Sequence, residues 1–192
     1  EIAERKQIMA DREKLLVAER EQRLMAESLA ETTMAFATQP NQEAVLNEAL
    51  RQMKRLVSYR TAHIMLLEND ALHIAGWRGY RDVEGRAFIS NLVQSLADFP
   101  IEAEAVRARQ PVIIPDTRID PRWIVVEPTA WVMSYASVPI CHGDRVLGLL
   151  RLDADTPEAL SSEKIARLQP LANAAGLALE NARLFDQAQQ EI

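Results

Sequence analysis

With 192 residues, 48% hydrophobic and 26% charged, the chain has material for one sizeable core plus appendages. Its formal net charge of −6, without a basic cluster, argues against nucleic-acid and anionic-membrane partners. One cysteine, Cys141, excludes an intrachain disulfide and suits a reducing, cytoplasmic compartment, and no run approaches the roughly 18 apolar residues of a spanning helix, so direct membrane insertion is not expected.

Residues 1–38 lack Gly and Pro and are rich in Glu, Arg, Ala, Leu and Met, which predicts a long helix. Ile8, Leu15, Leu29 and Phe36 share a seven-residue register with Gln22; Ala18 and Met25 lie on the companion seam with Asp11 and Thr32. This is an imperfect coiled coil, and pairing with a second copy covers its apolar bands. Gln39-Pro40 breaks the helix and Asn41 caps the next, whose stripe is Val45, Leu46, Ala49, Leu50, Met53, Leu56 and Val57.

Two strands, 61–68 and 71–77, flank an Asn69-Asp70 turn. Residues 86–97 are expected to be helical, with Phe88, Ile89, Leu92, Val93 and Leu96 inward; a strand is the weaker alternative. A short helix at 102–109, a strand at 111–115 and a long loop at 116–130 follow. Strands 135–142 and 145–153 meet at Gly143-Asp144, a favourable hairpin pair. In the second, Val146, Gly148, Leu150 and Leu152 face one way and Leu147 and Leu149 the other, so both faces need cover. Ser161 or Ser162 caps a last helix that Pro170 should bend or interrupt; its apolar residues are Ile165, Leu168, Leu171, Ala175, Ala178, Ala182, Phe185 and Ile192. The order predicts an α+β fold: a central antiparallel sheet of about five to six strands, helices on both faces, and long terminal helices in a dimeric bundle.

The strand Y-A-S-V-P-I-C-H (135–142), the strand D-R-V-L-G-L-L-R-L-D (144–153) and the helix end A-L-E-N-A-R-L-F (178–185) together resemble a GAF domain, a sensory module that binds ligands or relays signals between helices. V-R-A-R-Q-P-V-I-I-P-D-T-R-I-D-P-R-W (106–123) is similar to the family's passage from helix to strand to loop. The resemblance spans about 41–185. It implies a pocket on one sheet face, around Trp77, Phe88, Asp116, Arg118, Trp123, Trp131 and Tyr135. All three tryptophans fall between 77 and 131, and aromatic walls with a few polar groups suit a small-molecule pocket; they equally suit a core filled beneath loops. A PAS-type fold is the structural alternative, disfavoured by the S-V-P-I hairpin and the long terminal helix.

No cofactor is assigned. Cyclic-nucleotide-binding members resemble one another through an Asn-Lys pair, absent here, which argues against cyclic nucleotide. Cys141-His142 resembles the attachment dipeptide of bilin photoreceptors, but it follows the S-V-P-I strand and directly precedes a turn, which argues against covalent bilin. Methionine-sulfoxide-reducing members need two cysteines to close a disulfide, and this chain has one. For metal or haem, His63 and His73 fall on opposite strand faces if Asn69-Asp70 is a two-residue turn, with His63 beside Met65, Leu72 and Ile74. Asp153 and Asp155 read as solvated loop carboxylates. No catalytic constellation is found, so the chain is expected not to be an enzyme.

Three segments follow: a signalling helix at 1–38, a GAF core at 39–160, and a helix at 161–192 leading to an output domain of the same parent chain. The chain starts at Glu1 and ends inside a helix, so it reads as a piece of a longer protein. In proteins of this look the output is commonly a histidine kinase, a diguanylate cyclase or a phosphatase. The expected partners are an unidentified small molecule and a second copy, paired through Ile8, Leu15, Met25, Leu29, Leu168, Ala175, Ala182 and Phe185. The alternative is a ligand-free dimerisation relay with the same fold.

Overall fold

A computed structural model describes residues 2–190, with backbone alone at 2–4, 10, 25, 28, 29, 83 and 190. Helices α1 (Ile2–Ala37) and α2 (Gln42–Leu56) lead into strands β1 (Thr61–Glu68) and β2 (Ala71–Arg78). Helix α3 (Val83–Ser90), strand β3 (Val93–Ser95), helix α4 (Pro100–Ala108) and strand β4 (Val112–Ile114) follow. The hairpin β5 (Ser134–His142) and β6 (Arg145–Ala154) leads to α5 (Ser162–Ala166) and α6 (Gln169–Gln190). The strands form one six-stranded antiparallel sheet in the order β3-β2-β1-β6-β5-β4.

Local chemistry sets the element ends. The Asn41 side chain accepts from the Ala44 N–H and that of Ser161 from the Lys164 N–H, satisfying donors that a helix start leaves free. Asn69 and Asp70 both adopt positive φ, as a two-residue hairpin turn requires, and Leu66 pairs with His73. Gly143 supplies positive φ at the second hairpin. Pro170 falls at the start of α6, where its missing N–H costs nothing, so the last helical region is two helices.

Each sheet face carries a core. On the helix face, α2, α5, α6 and Phe36 of α1 cover Ala62, Ile64, Ala136, Val138, Ile140, Leu150 and Leu152. On the other, α4, β4 and Trp123 and Trp131 of the loop cover Met65, Leu72, Tyr135 and Leu149. Gly176 is where α6 meets β5: a Cβ there would lie 2.1 Å from the Cys141 carbonyl oxygen.

The structure corrects two strand-level expectations. The region 86–97 is not one helix. It splits into α3 and the edge strand β3, whose Gln94 pairs with Leu72 and whose Val93 points to solvent. Leu147 does not face the same way as Leu149. A bulge sets Ile140 opposite Gly148 and Cys141 opposite Val146, so Leu147 is the extra residue and packs against the helix-face core.

Candidate functional site

Two cross-strand rows build the site on the loop-covered face. Ser137, Arg151, His63 and Trp77 stand side by side on β5, β6, β1 and β2; one step along, Tyr135, Asp153 and Thr61 do the same. Directly opposed residues share a sheet face, so the registers alone bring an arginine, a histidine and an aspartate together. Glu102 reaches this face from α4 and Gln94 from β3.

Arg151 is buried, and every nitrogen has a partner. Nη2 pairs with Glu102 Oε1 at 2.8 Å, Nε donates to the Tyr135 hydroxyl at 2.6 Å, and Nη1 donates to Gln94 Oε1 and lies 3.0 Å from Met65 Sδ. The Tyr135 hydroxyl donates onward to Glu102 Oε1 at 2.7 Å. Burial and the adjacent Glu102 carboxylate push the Tyr135 phenol well above its ordinary range.

Asp153 and His63 form the second part. Asp153 Oδ2 accepts from the Thr61 hydroxyl at 2.7 Å and lies 3.8 Å from His63 Nδ1, which is 3.3 Å from the Tyr80 hydroxyl. Burial raises the Asp153 carboxyl to about 6, with the Thr61 hydroxyl and Arg151 opposing. Burial, then Arg151, holds the His63 imidazole well below its usual value. His63 is therefore neutral. Its Nδ1 faces the Tyr80 hydroxyl and the Asp153 carboxylate, and Nε2 is the far ring nitrogen. That Nε2 is buried and has no protein partner.

A cavity of about 40 Å³ lies against His63, Asp153, Arg151, Glu102 and Gln94, walled by Tyr80, Phe88, Phe99 and Trp123. At its edge Arg122 pairs with both Asp120 and Glu104, each at 2.7 Å.

Of the residues the resemblance implied, Phe88 and Trp123 line this cavity, and Tyr135 lies beneath Trp123 with ring centres 5.1 Å apart. The other four lie elsewhere. Trp77 shares the His63 face but packs edge-on to Tyr80 at 5.9 Å and lines a neighbouring groove. Asp116 and Arg118 hydrogen-bond each other on the loop, and the Arg118 guanidinium holds the Asp116 carboxyl low. Trp131 lies under the Arg60 guanidinium, 4.0 Å from its ring centre, and donates its indole N–H to the Pro128 carbonyl.

Sequence reasoning missed Tyr80, Gln94, Glu102 and Arg151 and misplaced Asp153, which is 4% exposed within β6; Asp155 alone is a surface carboxylate, paired with Arg60. The available signal was L-L-R-L-D: charges at alternate positions of an apolar strand must be paired if that face is buried. Among the interface residues, Leu168 and Ala175 are consumed by the chain's own core and are not available to a partner. Ile8, Leu15 and Phe185 are exposed, Ala182 is half-buried, and the side chains of Met25 and Leu29 lie outside the described residues. Among the described residues, no three His, Cys, Asp or Glu are grouped to hold a metal, and no helix is long and apolar enough to cross a membrane.

The GAF domain profile matches residues 39–180, most of the chain and all six strands. The chain belongs to the GAF domain family. A curated relative is the regulatory protein LuxO of Vibrio cholerae serotype O1, 26% identical over 165 residues; the match covers 85% of this chain but only 31% of LuxO. Among solved structures, the GAF domain/HD domain protein of Geobacter sulfurreducens superposes with a TM-score of 0.68 at 16% identity, covering 78% of this chain and 98% of that one. Free methionine-R-sulfoxide reductase of Neisseria meningitidis, solved with its substrate, gives 0.67 at 17% identity, covering 81% and 88%. At these identities the structures establish a shared fold. That fold serves a catalyst in the Neisseria protein.

Proposed function

We propose that this GAF domain is the sensory module of a larger cytoplasmic signal-transduction protein, binding a small ligand over the His63 face and passing its occupancy to paired helices. The observation that carries the reading is His63 Nε2, a buried ring nitrogen without a protein hydrogen-bond partner, on a residue that lines a cavity. Buried polar atoms are nearly always satisfied, so this one calls for a ligand or water. LuxO is named a regulatory protein, which supports a regulatory setting.

The route to the helices is short. Tyr135 lies on the pocket face of β5, while Cys141 at the far end of that strand lies directly under Gly176 of α6. A ligand that shifts β5 therefore shifts α6, but it moves the equilibrium only by its difference in affinity for the two helix arrangements. Exposed Leu177, Leu184 and Phe185 on α6, and Ile8, Leu15, Leu16 and Leu24 on α1, supply the surface for a second copy. The output domain, a histidine kinase for example, continues from α6. The reading is non-catalytic: Cys141 is the lone cysteine and does not line the cavity.

The small cavity favours a second reading, a ligand-free relay with its pocket closed by Trp123 and Phe88. Native mass spectrometry separates the two. The sensor reading expects a dimer carrying extra mass that is lost on denaturation. A bare dimer supports the relay, and a monomer contradicts helix pairing.

A further inference from the structure

The sequence spreads its basic residues, but the fold gathers five of them at one end of the sheet. Lys54 and Arg55 lie in the last turn of α2, Arg60 leads into β1, Arg78 ends β2, and Arg81 follows it. They line one groove of about 810 Å³, a volume usual for small-molecule sites. Among the described residues no Asp or Glu lines it. Gly79 permits the assembly. It takes positive φ, and a Cβ there would lie 2.2 Å from the Arg60 carbonyl oxygen, so the turn after β2 rests on the Arg60 backbone. Arg60 is engaged, by Asp155 at 3.4 Å and by the Trp131 ring. Lys54, Arg55, Arg78 and Arg81 are exposed, and among the described residues none of the four has an ion-pair partner. The negative end of the α2 dipole accounts for Lys54 and Arg55. It does not account for Arg78 and Arg81, which belong to another element.

From this we infer that the groove is a second ligand site, which takes a small molecule carrying a di- or triphosphate group. It stands apart from the His63 cavity and does not depend on it: Tyr80 alone lines both. Charge sets the class. Four unpaired cations call for several negative charges in a small volume, and two or three linked phosphates carry about three to four at neutral pH. The guanidinium fork of each arginine also matches phosphate oxygens two at a time. Half-buried Trp77 lines the same groove and offers a ring surface to the organic part of the ligand. Acidic side chains stop at the border: Asp82 and Asp155 line the adjoining depression instead. A nucleic acid or a membrane is a poorer match. The net charge of −6 repels an extended polyanion, and the cations line a concavity rather than a broad face.

Isothermal titration calorimetry on the whole chain, at neutral pH, constant ionic strength and without divalent cations, tests this with three probes: inorganic tripolyphosphate, citrate and phosphatidylglycerol vesicles. Tripolyphosphate should bind one per chain, at least about fivefold more tightly than citrate, the scale of one further charge pair. Arg78→Gln and Arg81→Gln should each weaken it about three- to tenfold, between an exposed ion pair and a charge-assisted hydrogen bond. Both side chains are exposed and unpaired, so neither change threatens folding. Arg107→Gln removes the same charge from the exposed side of α4, outside the groove, and should change nothing. Citrate binding as tightly as tripolyphosphate would overturn the phosphate assignment. Vesicle binding that Arg78→Gln abolishes, without tripolyphosphate binding, would overturn the small-molecule reading in favour of a membrane surface. No binding of any probe, or tripolyphosphate binding weakened equally by Arg107→Gln and Arg78→Gln, would overturn the groove as a site.

Discussion

Arg151 on β6 and Glu102 on α4 form an ion pair at 2.8 Å, with side chains only 7% and 4% exposed. Together with Tyr135 and Gln94 they tie α4 and the edge strand β3 to the middle of the sheet. Removing one member strands the other charge in the core. Glu102→Ala should therefore cost about 3–5 kcal/mol, whereas the apolar double replacement Arg151→Met with Glu102→Leu should cost clearly less. Urea denaturation of the two proteins checks this ordering.

Asp153 gives the stability a pH signature. Its carboxyl is raised to about 6 when folded. Between about pH 4 and 6 the folded chain keeps a proton that the unfolded chain has released, so stability falls as pH rises through that window. The penalty is complete above it and is on the order of 3 kcal/mol. His63, held low, acts in the opposite sense: its contribution is lost as pH falls below its ordinary value. Comparing wild type with Asp153→Asn isolates the aspartate. The stability difference should move in favour of the Asn variant from pH 4 to 7 and be flat above.

Gly176 tests the contact through which a signal would cross the sheet. Alanine is the better helix former by about 1 kcal/mol, yet its Cβ would fall 2.1 Å from the Cys141 carbonyl. Gly176→Ala should therefore destabilise by about 1–3 kcal/mol, as overpacking does. Thermal or urea unfolding shows the sign directly.

Helix pairing can be broken without touching the core. Leu177 and Leu184 are exposed on α6, seven residues apart. Changing both to Glu should convert a dimer to a monomer in sedimentation while shifting the unfolding midpoint of the domain little, since isolated surface changes cost about 0.5 kcal/mol or less.

Elements held by local chemistry were readable in advance. The strands expected at 61–68 and 71–77, the Asn69-Asp70 and Gly143-Asp144 turns, and the caps Asn41 and Ser161 or Ser162 each stand in a few adjacent residues. What failed depends on distant partners. Val93 to Ser95 is strand only because β2 offers a free edge, and three residues carry no period of their own. Leu147 turned because of a bulge, which alternation cannot show. The site itself was half legible: its aromatic wall was, in Phe88 and Trp123, but the charged floor was not. Arg151 and Glu102 lie 49 positions apart, and their pairing exists only after α4 folds over β6.

The most direct test of the central claim is to ask whether the cavity holds a small molecule in the cell. Wild-type chain and Leu92→Phe, which enlarges a side chain of the cavity wall, are purified side by side and denatured, and the released small molecules are identified by mass spectrometry. A sensor releases one species in proportion to protein from wild type and not from Leu92→Phe. Release of nothing from wild type, or of the same species equally from both proteins, would contradict a ligand at His63.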